Sequence, residues 1–85
     1  MPVFHVYSRP GCHLCELLIR ELVPLVRRRG SVEVLNIDLD EGLRARYGER
    51  IPVVELAGRI LCEIRLDSRA IEEALRNEVS RGASA

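Results

Sequence analysis

Eighty-five residues suffice for one domain with a single modest core, not for two. Thirteen basic residues, all of them arginine, balance thirteen acidic ones along the chain, which argues against a polyanion-binding surface and a nucleic-acid partner. No apolar run is long enough to cross a bilayer, the N-terminal residues lack the regions of a secretory signal, and three cysteines is an odd count for a secreted disulfide scaffold. The expectation is a cytoplasmic monomer with one reactive thiol pair.

Val3 to Ser8 is apolar and rich in strand formers, and predicts a first, central strand with His5 as a core or edge residue rather than a ligand. Pro10-Gly11 then supplies a sharp turn into Cys12-His13-Leu14-Cys15. With Cys12 at a helix N-cap and Cys15 in the first turn, the two side chains face the same way and can bridge without rearranging the backbone. At that position Cys12 meets the positive end of the helix dipole and unpaired N–H groups, which favour a thiolate over a thiol. His13, as an imidazolium, would add to that effect, and Glu16, one turn on, would oppose it.

From His13 to Arg29 the apolar residues Leu14, Leu17, Leu18, Leu22, Leu25 and Val26 step by threes and fours, which predicts one helical face. Pro24 should kink this helix without ending it, and Gly30 should end it. Arg27-Arg28-Arg29 suits the negative end of the helix dipole better than it suits a basic patch.

Val32 to Leu39 predicts a second strand, closed by Asp38 and Asp40. Asp40 is expected to cap a short helix from Glu41 to Tyr47 with Gly48 as its C′ residue, and capping explains the cluster Asp38, Asp40 and Glu41 better than a metal does. Ile51 to Leu56 predicts a third strand opening on Pro52, and Gly58-Arg59 a two-residue turn. In the returning strand, Ile60 to Arg65, the residues Ile60, Cys62 and Ile64 are expected on one apolar face, with Cys62 a small buried residue. Asp67 should cap a last helix in which Leu66 and Ile71 form a hydrophobic staple and Ile71, Ala74, Leu75 and Val79 the apolar face. Residues 80–85 are small and polar, and predict a disordered tail beyond a domain of 1–79. The order is βαβαββα: an α/β fold whose four-stranded mixed sheet is flanked by three helices.

That order, with Tyr7-Ser8-Arg9-Pro10-Gly11-Cys12-His13-Leu14-Cys15 and Tyr47-Gly48 followed by Ile51-Pro52-Val53, resembles the glutaredoxins and glutaredoxin-like proteins of the thioredoxin-fold superfamily, from Val3 to about Val79. The resemblance implies a thiol–disulfide oxidoreductase with Cys12 as nucleophile and Cys15 as resolving thiol. It implies that Pro52 is a cis-proline facing the disulfide, with the Ile51 backbone free to pair with substrate. Arg9 stands where glutaredoxins place the cation that meets a glutathione carboxylate.

The resemblance implies no bound cofactor, glutathione as a possible co-substrate, protein or small-molecule disulfides as partners, and glutathione or a thioredoxin-reductase-type reductant as electron source. Two departures stand out. The glycine pair that glutaredoxins carry before the last helix is replaced by Glu63-Ile64-Arg65-Leu66-Asp67-Ser68, so Asp67 and Ser68 are left to make polar contacts there. The pair between the cysteines is His-Leu. A metal site through Cys12, His13 and Cys15 would have at most three ligands in one chain, so a zinc or cluster protein would need a dimer. A thioredoxin-fold adaptor with little turnover is the other alternative.

Overall fold

Alternation in Val3–Ser8 produces a strand with two working faces: Phe4, Val6 and Ser8 are buried on one side, while His5 and Tyr7 point to the other. The computed structural model describes residues 1–77 in full; the expectations for Val79 and for the 80–85 tail fall outside the described residues. This strand, β1, is followed by α1 (His13–Val26), β2 (Ser31–Asn36), a 3-10 turn over Ile37–Leu39, α2 (Glu41–Tyr47), β3 (Val53–Leu56), β4 (Arg59–Glu63) and α3 (Ser68–Ser84). The sheet order is β2-β1-β3-β4, with β1 parallel to β2 and antiparallel to β3, and β3 antiparallel to β4. The expected βαβαββα order and mixed sheet are present.

Each sheet face holds its own core. Phe4, Val6, Val54, Leu56 and Cys62 pack against Leu18, Leu22 and Val26 of α1 and Ile71, Ala74 and Leu75 of α3. On the opposite face Val53 packs with Ile37 and Tyr47, joined by Tyr7, Leu43 and Ile51. Neighbours Val53 and Val54 therefore serve different cores, as the period of two requires. Tyr7 and Tyr47 stack with centroids 4.5 Å apart, fixing α2 against the end of β1 that leads to the cysteines.

Several boundaries differ from expectation, each for a physical reason. α1 passes Pro24 as expected but stops at Val26, because the N–H groups of Arg29 and Gly30 both fold back on Val26 O. Its buried stripe is Cys15, Leu18, Leu22 and Val26, so Leu14 and Leu17 are left exposed. β2 ends at Asn36 rather than Leu39, since the Asn36 side chain accepts from Asp38 N–H at 2.9 Å and starts the 3-10 turn. Asp40 caps α2 as expected, but Gly48 closes that helix in a right-handed conformation, φ −50°, not a left-handed one.

The hairpin turn is Ala57-Gly58, one residue earlier than expected: both have positive φ, 52° and 83°, and Arg59 already pairs with Leu56. A register shift between Val54 and Glu55 breaks the expected alternation in β4. Cys62 is buried as expected, but Ile60 and Ile64 are exposed, and Leu61 packs against the core instead. β3 begins at Val53, leaving Pro52 in the loop before it.

Candidate active site

The loop leaving β1 is shaped by Pro10 and Gly11. Gly11 has φ 79°, and Cys12 N–H donates to Arg9 O at 3.3 Å, closing a type II turn that favours proline at its second position and needs glycine's positive φ at its third. The turn delivers Cys12 to the N-cap of α1 with φ −85° and ψ 105°. Cys12 Sγ accepts from Cys15 N–H at 3.2 Å, and Cys12 O accepts from Glu16 N–H at 3.1 Å. Cys12 and Cys15 form a disulfide with Cα atoms 5.2 Å apart. Cys12 is half-buried while Cys15 is only 1% exposed, so a reagent arriving from solvent meets Cys12 first.

The other expected site residues have different settings. The Ile51–Pro52 bond is cis, Pro52 is buried, and Ile51 is half-buried against the Tyr47 core. Pro52 O accepts from Ile64 N–H at 2.7 Å, which ties the proline loop to the connection between β4 and α3. His13 is exposed at the first position of α1. Ser68 is the exposed first residue of α3, and Asp67 caps that helix, its Oδ1 accepting from Ala70 N–H at 3.2 Å.

Arg9 is engaged within the chain: its Nε and Nη2 both donate to Asp38 Oδ1, at 3.2 and 3.0 Å. Arg9 lines a cleft of about 300 Å³ with Ser8, Pro10, Gly11, Glu16, Val34 and Asn36. Leu14, Leu17, Leu18 and Glu21 of α1 line a second groove, of about 400 Å³, with Ile64, Arg65 and Leu66.

Two participants escape sequence reading. Asp38 reads as a strand terminator, and nothing local shows that Arg9, far away in the chain, reaches it. Ile64 has φ 69°, a conformation in which a β-branched residue is strained, at the place where the glycine pair is absent. Cys62 stands apart from the disulfide: it is 5% exposed, and burial pushes its thiol up, the hydrogen bond from the Asp67 backbone opposing and the Asp67 charge reinforcing. The acidic residues Asp38, Asp40 and Glu41 hold, respectively, Arg9, the N-terminus of α2 and the edge of Arg44. Among the described residues no group of three or more His, Cys, Asp or Glu is placed to hold a metal ion, and no helix is long and apolar enough to cross a membrane.

A C-x-x-C disulfide at the head of α1, a cis-proline loop and a β2-β1-β3-β4 sheet define a thioredoxin-fold protein. The model of the Glutaredoxin-like domain (DUF836) matches residues 4–77, and the chain belongs to that family. It is 32% identical over 87 aligned positions to the uncharacterized protein Rv0508 of Mycobacterium tuberculosis, covering 94% of this chain and 84% of that one. Among solved structures, protein Ne2328 from Nitrosomonas europaea superposes with a TM-score of 0.77 at 38% identity, covering 86% of this chain and 89% of its own. A structural-genomics target from X. campestris does so at 0.67 and 28% identity, covering 87% and 96%. Oxidised thioredoxin O1 from Arabidopsis thaliana, TM-score 0.57 at 14% identity over 91% of this chain and 77% of its own, shares the fold alone.

Proposed function

We propose that this protein is a small thiol–disulfide oxidoreductase that turns over through Cys12 and Cys15. The observation that carries the reading is the asymmetric pair: an accessible sulfur at a helix N-cap, bridged to a buried one a single turn away. In the reduced form the N–H of Cys15 and the N-terminus of α1 favour the Cys12 thiolate. That thiolate attacks one sulfur of a substrate disulfide, forming a mixed disulfide and expelling the first substrate thiolate. Cys15 loses its proton, attacks the Cys12 sulfur and expels the second. Two electrons pass from the dithiol to the substrate, and the departing thiolates take up protons. His13 is exposed and next to Cys12 in the chain, where a substrate passes it.

The reading requires no bound cofactor. The protein acts as a monomer in a reducing cytoplasm, on protein or small-molecule disulfides, and the dithiol is restored by glutathione or by a thioredoxin-reductase-type reductant. Ile51, whose N–H is already given to Tyr47 O at 3.1 Å, offers its carbonyl to an extended substrate segment, and Arg9, Asp67 and Ser68 offer polar groups.

The test is a disulfide-reductase assay run twice, once coupled to glutathione and its reductase and once to thioredoxin reductase. Turnover in either, abolished in Cys12→Ser, is expected. Partner capture that Cys12→Ser leaves unchanged, with no turnover in either assay, would make the fold an adaptor instead.

A further inference from the structure

Ile64 takes no part in the thiol exchange, yet its backbone is strained. Its φ of 69° lies in the left-handed region, where glycine or asparagine is at ease and a β-branched residue is not. Such strain persists only where the surroundings impose it. One anchor is visible: Ile64 N–H donates to Pro52 O at 2.7 Å, which ties the residue to the proline loop. A glycine would make the same hydrogen bond without the steric cost, so the side chain is what this position keeps. Packing within the chain does not account for that side chain, since the residue is 43% exposed and stands outside both core clusters.

Ile64 lines the groove of about 400 Å³ together with Leu14, Leu17, Leu18 and Leu66, and Leu14 and Leu17 are exposed as it is. Leu14 lies inside the Cys12–Cys15 motif and is joined to Cys15 by a peptide bond, so one wall of the groove is part of the motif. The charged residues of the lining are one acid, Glu21, and one base, Arg65, which leaves the groove neutral and suited to an uncharged occupant. We propose, resting on the redox reading above, that this groove holds an apolar side chain next to the reacting cysteine of a protein disulfide, with Ile64 as the residue that sets the preference. In the mixed disulfide the substrate is tethered at Cys12. A leucine or valine beside its cysteine, laid against Leu14, Leu17 and Ile64, then covers apolar surface that water otherwise wets. A polar neighbour gains nothing there and gives up its own water.

The test uses two capped tripeptides, acetyl-Leu-Cys-Leu-amide and acetyl-Gln-Cys-Gln-amide, each oxidised to its symmetric disulfide. Each is mixed with the pre-reduced protein in single turnovers, quenched by alkylation and read by mass. Each rate is divided by that disulfide's rate with dithiothreitol. After this normalisation the leucine peptide should react about five-fold faster than the glutamine peptide, the size expected when an apolar side chain is partly buried. Ile64→Asn suits the left-handed backbone, so the fold is retained, but it takes the apolar surface away; it should cut that ratio to about two by slowing only the leucine peptide. Leu17→Gln, on the exposed side of α1, should shrink the ratio in the same direction without altering the backbone near Pro52. Leu39→Gln removes an apolar side chain that is 84% exposed and outside the groove, and should leave the ratio unchanged. Equal normalised rates for the two peptides, or a ratio untouched by both Ile64→Asn and Leu17→Gln, would overturn the proposal and leave the redox reading standing. So would a dimer in sedimentation that Leu17→Gln dissociates, since a second copy would then cover the groove. Reaction with neither peptide faster than that of a free peptide dithiol would bring down the redox reading and the proposal with it.

Discussion

Two helix N-termini in this protein each place a cysteine sulfur at a backbone N–H, yet only one is built for chemistry. At α1 the Cys12 sulfur accepts from Cys15 N–H at 3.2 Å; at α3 the Cys62 sulfur accepts from Asp67 N–H at 3.3 Å. The hydrogen bonds are nearly alike, so a donor alone does not make a thiol reactive. What differs is access and local charge. Cys12 occupies the N-cap itself, half-exposed, with a partner thiol one turn away. Cys62 lies in a strand beneath the helix, and the capping position there belongs to a carboxylate. Burial then holds Cys62 as a neutral thiol, a small core residue with a polar neighbour.

The sharpest way to break this contrast is to exchange the sulfurs for hydroxyls one at a time. Cys12→Ser should lower disulfide-reductase turnover by on the order of 1,000-fold, and Cys62→Ser should leave it within about two-fold; equal losses would erase the distinction. In the reduced protein, iodoacetamide should label Cys12 on the order of 100 times faster than Cys62, which should react only as the fold opens. Mass spectrometry of timed digests reads that ratio.

Effects on stability are smaller. Asp67→Ala removes the cap of α3 and should cost about 1 kcal/mol, seen as a lower urea midpoint with an unchanged slope. Raising the pH should weaken the disulfide form, in which Cys12 and Cys15 do not titrate. The folded Cys62 thiol lies above its unfolded value, so its contribution is complete below about pH 8.5, where an unfolded thiol begins to ionise, and is lost as pH rises through the folded value. Cys62→Ala should flatten that slope up to about pH 10, where Tyr7, also pushed up by burial and by Glu55, begins to contribute. The least effect is expected at the far end of α1. There Arg29 donates to Leu25 O at 3.0 Å and pairs with Glu72 of α3 at 2.9 Å. The hydrogen bond from Arg29 holds Glu72 below the usual carboxylate range, so the pair helps at neutral pH and is lost as acid protonates Glu72. Arg29→Gln should lower the melting temperature slightly at pH 7 and not at pH 3.

Which parts of this picture are legible in the sequence follows from how local their causes are. The turn, the N-cap cysteine and the carboxylate caps on α2 and α3 are set by residues a few positions apart, and they read correctly. Other positions misread where a distant strand intervenes. The bulge at Val54/Glu55 is a property of two strands together, so Ile60 and Leu61 exchange the faces that strict alternation predicts. Arg29 reads as a helix-end charge and is one, but its ion pair with Glu72 joins segments 43 positions apart. Arg9 is given a ligand carboxylate by the family resemblance alone; its partner within the chain, Asp38, arrives only when β1 and β2 lie side by side.

The reactive loop grows from β1, the one strand with neighbours of opposite direction on its two sides. Fraying of a sheet starts at its margins, and here the margins are β2 and β4, each held along one side only. Amide exchange should therefore be slowest in Phe4 and Val6, and catalytic competence should survive warming until the whole molecule melts, with no interval in which the protein is folded but inert.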